Sequence, residues 1–543
     1  MGMKLVSISE MKVIEKAADA GGVSYADMMQ KAGRGLASLV EAEFEEDDAP
    51  LRAVGLVGTG NNGGDTLVAL DALAERGWAV RAFLIAERAK DDPLWLDYSA
   101  KHAEFITSEA DPSFNQLDAW LEDSDVLLDG VLGTGFKLPL KREVARVLGH
   151  VAKQELLPLV VAVDCPSGAD CDSGEMAKQT IPADLTVCIE AVKLGLLKLP
   201  AFGKVGRLAV VSLDLPSGLP ESAAIPRQVV TEQDVAGWLP ARPLDSHKGT
   251  FGTALVVAGS INYTGAAYLA CRAAYRIGAG LVQAAVPRPL HAALAGQLPE
   301  ATWLILPEEM GVISESAAEV LVKNWDRADA ILIGPGLGME LTTAGFIGRL
   351  FSGRAAAHRR GGIGFLADGV ASGKESEAQK LKALVVDADG LKLLAKLPEW
   401  WKSLPALSVL TPHPGEMSVL TGLAVKEIQA DRLGIAQKYA REWGMVVVLK
   451  GAFTVVAAPD GRQAVLPFAT PALAKAGTGD VLAGMIVGLR AQGLPAFEAA
   501  CAAAWIHAQA AIKAMQAVGA SASVLAGEVA DSIPQVLEEL ESR

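Results

Sequence analysis

Chemistry concentrates in a few short stretches of this chain. Lys475, Ala476, Gly477, Thr478, Gly479 and Asp480 follow a loop over residues 467–474 and open onto residues 481–490, whose apolar spacing suits a buried helix. The glycines let the backbone turn sharply and aim consecutive N–H groups at one point, at a helix N-terminus where the macrodipole already favours an anion. That arrangement seats a phosphate. Asp480 is then a carboxylate beside bound phosphate, a position suited to taking a proton, binding a metal or directing a nucleophile. The alternative is a glycine-rich loop capped by Asp, a good residue in any first helical turn.

The first half carries three comparable loops. Gly58, Gly60 and Gly63 satisfy G-x-G-x-x-G directly after an apolar run at 53–57, the context of a dinucleotide phosphate turn. Asn61, Asn62 and Asp65 add amide and carboxylate oxygens, the ligand set of a hard monovalent or divalent cation. Asparagines that merely adopt left-handed turn conformations are the competing reading. Asp129 ends a second run and is followed by a glycine turn, Gly130 to Gly135. Asp164-Cys165-Pro166-Ser167-Gly168 repeats the pattern with a rigid proline and a hydroxyl. In a doubly wound sheet the carboxyl ends of neighbouring strands share one crevice, so the three loops converge.

In the second half Gly334-Pro335-Gly336-Leu337-Gly338 is either a packing feature or, following a buried strand, a turn that lets a ligand approach the backbone closely. Asp387 and Asp389 lie just beyond another apolar run. His413 and Glu416 lie beyond the next, His413 held between prolines, and Glu416 suits magnesium or a water. Lys450-Gly451-Ala452-Phe453-Thr454 offers a cation, a turn and a hydroxyl for a nucleotide's phosphates or base edge.

The elements that hold these loops follow from periodicity. Helices are expected over 9–20 and 24–44, each opening at a serine cap. Short β-branched runs then alternate with helical segments at 53–57, 79–85, 126–129, 159–163, 185–189 and 208–212. A second series runs at 254–258, 281–286, 330–333, 383–386, 407–410 and 445–449, with a hairpin over 453–457. Both imply a mainly parallel sheet covered on two faces. Residues 215–246 are rich in Pro, Ser and Gly and mark the domain boundary, dividing 1–222 from 223–543. Residues 353–380 read as a long surface loop.

Composition narrows the partners. Lys and Arg number 49 against 64 Asp and Glu, a net charge of −15, so nucleic acid is repelled. Five cysteines lack a C-x-x-C pair and suit free thiols in a reducing compartment. The first ten residues lack a secretory apolar core, which gives a cytoplasmic reading. Mean hydropathy is +0.28, yet the longest uncharged run, 249–271, is interrupted by a turn-forming segment that a membrane span tolerates badly. No membrane partner is expected. A homo-oligomer is, with its subunit number open.

Asn61-Asn62-Gly63-Gly64-Asp65, Asp129 through Gly135 and Asp164 through Gly168 resemble the NAD(P)H-hydrate epimerase family over most of residues 5–215. The resemblance implies a Rossmann-like fold that interconverts the C6 epimers of hydrated NADH or NADPH. It further implies potassium ligated by Asn62, Asp129 and Ser167. Nucleotide contacts would fall at Asn61, Asn62, Gly63, Gly64, Asp65, Gly133, Thr134, Gly135, Phe136, Lys137, Leu138, Pro139 and Asp164, with Asp164 the acid–base residue.

Residues 240–535, apart from 353–380, resemble the ribokinase-like fold and, within it, the ADP/ATP-dependent NAD(P)H-hydrate dehydratases. Ala266, Gly336, His413 and Asp480 would then contact the hydrated nucleotide. Lys450, Gly451, Ala452, Phe453, Thr454 and Gly479 would contact the phosphate donor, ADP or ATP with magnesium. Together the two halves imply repair of hydrated nicotinamide nucleotides, with ADP expected as donor. Two readings stay open beside it: a vitamin or sugar kinase fused to a nucleotide-binding module, and a first half that binds or oligomerises without catalysis.

Overall fold

The structure is a computed structural model describing residues 2–44, 50–216, 218–351 and 383–542. The surface loop expected at 353–380 lies outside the described residues. The chain forms two compact units, Met3–Val229 and Val230–Arg543.

In the first unit β2 (Arg52–Val57), β3 (Ala79–Leu84), β4 (Phe105–Thr107), β5 (Val126–Gly130), β6 (Leu159–Val163), β7 (Leu185–Ile189) and β9 (Arg207–Val211) form one sheet in the order β4-β3-β2-β5-β6-β7-β9. Every neighbouring pair is parallel. The order reverses between β2 and β5, so their carboxyl ends splay apart and open a crevice. Apolar side chains from both sheet faces enter separate cores beneath the covering helices. Strand β1 (Met3–Val6) lies between β8 (Val192–Lys193), to which it is parallel, and β10 (Arg227–Val229), to which it is antiparallel. The first helix is Ile8–Ala20, capped by Ser7 in a reciprocal box with Glu10 rather than by Ser9. Ser24 caps Tyr25–Ala42 in the same way with Asp27.

In the second unit β11 (Thr253–Val257), β12 (Leu281–Pro287), β13 (Thr302–Leu306), β16 (Ala330–Ile333), β17 (Ala383–Val386), β18 (Val409–Leu410) and β19 (Val446–Leu449) are parallel in the order β13-β12-β11-β16-β17-β18-β19. A small ribbon, β14 (Glu308–Glu309) with β15 (Val312–Ile313), lies outside this sheet. The sheet continues antiparallel through β20 (Val455–Ala457) and β21 (Gln463–Val465). Two strands are shorter than their apolar runs. Leu407 (φ 59°) and Phe453 (φ 53°) take left-handed backbone that a strand does not accommodate, so pairing starts at Val409 and Val455. Helix Thr478–Ala491 is buried along most of its length against helix Thr264–Arg276, close enough that a β-carbon on Gly484 would lie 2.2 Å from the Ala270 carbonyl. No helix among the described residues is long and apolar enough to cross a membrane.

Candidate active sites

The crevice of the first unit opens into a cavity of about 960 Å³, lined by Asn61, Asn62, Asp65, Gly133 to Pro139 and Asp164. Gly63 and Gly64 stand behind this wall, in the helix Asn61–Glu75 that begins on the Gly60 cap. Both asparagines are therefore helical and not in left-handed turns. The Asn62 amide nitrogen donates to the Leu132 carbonyl at 3.1 Å and to the Val163 carbonyl, which ties this helix to the ends of β5 and β6.

Asp129 is 1% exposed and accepts from the Ser167 N–H at 2.9 Å, while the Ser167 hydroxyl accepts from the Leu132 N–H at 2.9 Å. Burial pushes the Asp129 carboxyl up, and no cationic side chain pairs with it among the described residues. Asp129 and Ser167 are joined directly and Asn62 reaches the same loop ends through Leu132 and Val163, so the three side chains offer oxygen donors of the type a weakly hydrated hard cation takes. No cluster of three His, Cys, Asp or Glu suited to a metal occurs among the described residues.

Asp164 holds a left-handed φ of 65°, outside the range most side chains accept. Its carboxylate takes the Ile189 N–H at 2.9 Å and forms an ion pair with Lys193, itself 1% exposed. Burial, the largest single influence, would pull the Lys193 ammonium down, but its neighbours, Asp164 first among them, together reverse this and the net shift is upward. Asp65 is pushed well above the ordinary carboxylate range, first by burial and then by Asp164. Glu15, from helix Ile8–Ala20, lines the same cavity and is raised mainly by burial. Lys193 and Glu15 were invisible to motif reading. The available signal was a lysine inside the otherwise apolar run at 191–197.

Gly130 shows how closely this wall is built. A β-carbon there would stand 1.7 Å from the Thr66 hydroxyl, which donates to the Asn62 carbonyl at 2.7 Å. Gly130→Ala is therefore expected to push the Asn61–Glu75 helix off β5, costing about 1–3 kcal/mol of stability. Urea unfolding of the variant measures the loss; an unchanged midpoint contradicts the contact.

In the second unit Gly477 (φ 92°) turns the chain into helix Thr478–Ala491, placing Gly479 and Asp480 in its first turn. Lys450, at the end of β19, donates to Asp387 at 2.7 Å and lies 3.8 Å from Glu416. Asp387, at the end of β17, also accepts from the Thr411 hydroxyl at 2.7 Å. A β-carbon on Gly479 would stand 3.5 Å from the Lys450 ammonium, so the helix N-terminus and this lysine face one space. Burial, then the charge of Asp387, raises the Asp480 carboxyl to about 7 against the opposing pull of Lys450.

His413 caps helix Pro414–Thr421 through Nδ1, which accepts from the Gly415 and Glu416 N–H groups at 3.0 and 3.3 Å and leaves the proton on Nε2. Ala266 and Gly336 meet at another point, where a β-carbon on Gly336 would be 2.8 Å from that of Ala266. The Thr454 hydroxyl closes the turn behind Lys450 by donating to the Gly451 carbonyl at 2.9 Å. Ala452 is exposed and Phe453 is buried in the same turn.

Each unit is thus an α/β nucleotide-handling fold whose acids gather at the carboxyl ends of its parallel strands. A family model for NAD(P)H-hydrate dehydratase matches residues 254–535, and one for the YjeF-related protein N-terminus matches residues 25–195. The bifunctional NAD(P)H-hydrate repair enzyme of Moorella thermoacetica is 35% identical over 545 residues, covering 99% of this chain and 97% of that protein. The Escherichia coli enzyme of that name is 31% identical over 496 residues, covering 91% and 86%. A crystal structure of the Bacillus subtilis ADP/ATP-dependent NAD(P)H-hydrate dehydratase, co-crystallised with ATP and Mg2+, is 31% identical. It covers 57% of this chain and 98% of that one with a TM-score of 0.46. The chain belongs to the family of bifunctional NAD(P)H-hydrate repair enzymes, and its second unit carries the NAD(P)H-hydrate dehydratase part.

Proposed function

We propose that residues 1–222 interconvert the C6 epimers of hydrated NADH and NADPH, and that residues 223–543 dehydrate the S-epimer with a nucleotide, ADP giving AMP and phosphate. One observation carries the second activity: a buried carboxylate, Asp480, stands in the first turn of a glycine-led helix beside the Lys450–Asp387 pair. Hydroxide is a poor leaving group. Asp480 takes the proton of the C6 hydroxyl as that oxygen attacks the donor's terminal phosphate, and the helix N–H groups stabilise the transferring charge. Phosphate then departs from C6, the C5 proton is lost and the dihydronicotinamide re-forms. Ala266, Gly336 and His413 contact the hydrated nucleotide. Lys450 to Thr454 and Gly479 contact the donor, accompanied by magnesium.

In the first unit loss of the C6 hydroxyl leaves a planar cation stabilised by the ring nitrogen, to which water returns on either face. Asp65, held toward its protonated form, supplies the departing proton, and Asp164, fixed by Lys193, receives one from the returning water. The Asn61 to Asp65 and Gly133 to Pro139 stretches hold the nucleotide. Asn62, Asp129 and Ser167 would hold potassium, whose charge offsets Asp129 and fixes the loops around it. Five buried free cysteines support a reducing, cytoplasmic setting, and the exposed apolar Met310 and Leu341 support a homo-oligomer.

The test incubates the protein with mixed epimers of hydrated NADH plus ADP or ATP, following NADH, AMP and inorganic phosphate. Complete conversion above the rate of spontaneous epimerisation is expected. Accumulation of a stable phosphorylated alcohol without phosphate release would instead make the second unit a small-molecule kinase.

A further inference from the structure

Arg432 opens helix Arg432–Trp443 and is half-buried, yet no carboxylate pairs with it among the described residues. Burial draws its guanidinium down to about 10, and no neighbouring charge contributes to that shift. A cation withdrawn from water without an anionic partner is unfavourable unless a ligand supplies the charge. Its hydrogen bonds are half made. Nη2 donates to the Leu449 carbonyl at 2.7 Å and Nη1 to the Gln429 side chain at 3.0 Å, whereas Nε is buried without a partner.

The position says which anion fits. Nη1 lies 3.1 Å from where a β-carbon on Gly451 would stand, and Gly451 takes a φ of 144° that a bulkier residue does not adopt. Arg432 therefore flanks the turn that begins at Lys450, and Lys450 in turn faces Gly479. On the donor-loop reading the transferred phosphate would sit at the helix turn beside Lys450, and Arg432 flanks the same donor turn at Gly451. We propose that Arg432 binds the phosphate nearest the ribose of the donor nucleotide, the one retained in AMP. The guanidinium fork matches a phosphate's paired oxygens, and the Leu449 carbonyl fixes the fork's direction. The inference rests on the reading of Lys450 to Thr454 as the donor loop.

The experiment compares the intact protein with Arg432→Met and Arg432→Lys, by calorimetric titration with ADP, AMP and adenosine and by steady-state kinetics in ADP. Arg432→Met should weaken ADP and AMP alike, roughly 10- to 100-fold, raise KM for ADP correspondingly, and leave adenosine affinity and kcat nearly unchanged. Arg432→Lys keeps the charge without the fork and should fall between. A merely structural brace would not change the ratio of AMP to adenosine affinity, which makes that ratio decisive. If Arg432→Met misfolds, Arg432→Lys supplies the same ratio. Equal loss for AMP and adenosine, or ADP binding as tight in both variants as in the unaltered protein, overturns the inference alone. Failure of the unaltered protein to bind ADP overturns the donor-loop reading and the inference with it.

Discussion

Asp480→Asn is expected to lower the dehydration rate about 1,000-fold or more while leaving epimer exchange intact, because the amide keeps the shape of the helix turn and loses the base. The pH dependence follows from the same carboxyl. The base works ionised, so kcat/KM for dehydration should climb with pH and level off above about 7, the value to which burial and Asp387 raise Asp480. Asp387→Asn removes the largest like charge and frees Lys450 to approach Asp480, and both changes move the profile toward lower pH. A profile that stays in place in Asp387→Asn would contradict the electrostatic account. Stability carries the opposite sign. A carboxyl whose folded value is raised from 3.8 to about 7 contributes stability present below 3.8 and lost as pH rises through about 7. Asp480→Asn should flatten that decline, as measured by denaturant midpoints between pH 4 and 8.

Asp164→Asn should reduce epimer exchange roughly 100- to 10,000-fold, to near the spontaneous rate, and leave dehydration of the S-epimer unaffected. Asn is the informative replacement because it tolerates the left-handed backbone at this position. The ion pair adds a second readout. Lys193→Met leaves the buried Asp164 carboxylate without its partner and should destabilise the first unit by about 3–5 kcal/mol. Combining it with Asp164→Asn removes both charges and should restore much of that loss, a non-additivity that a double-mutant cycle reads directly. Additive losses would mean that the two side chains act independently. Rapid exchange in a folded Asp164→Asn protein would remove Asp164 from the chemistry altogether.

Both architectures and most acid positions were legible beforehand. Alternating apolar runs of four to six residues leave a parallel sheet little choice, since buried parallel strands and their covering helices impose that rhythm on any sequence. Acids placed directly after such runs fall at the strands' carboxyl ends, which is why Asp129, Asp164 and Asp387 could be singled out, while Asp480 was marked by the glycine turn that opens its helix. Local backbone was read less well. The chain does not announce that Leu407 and Phe453 take positive φ, because no turn residue stands there and the surrounding packing imposes the conformation.

The sequence by itself determined the succession of strands along the chain, the glycine- and acid-bearing loops that follow them and the family they resemble. Only the tertiary structure decided which charges face one another. Lys193 meets Asp164 from a two-residue strand 29 positions away, and Lys450 meets Asp387 across 63. Among the described residues Arg432 faces a glycine turn and pairs with no carboxylate. The physical reason is that periodicity is a local property of the chain, whereas the energy of a buried charge depends on its distance to other charges and to water, which exists only once distant segments have packed.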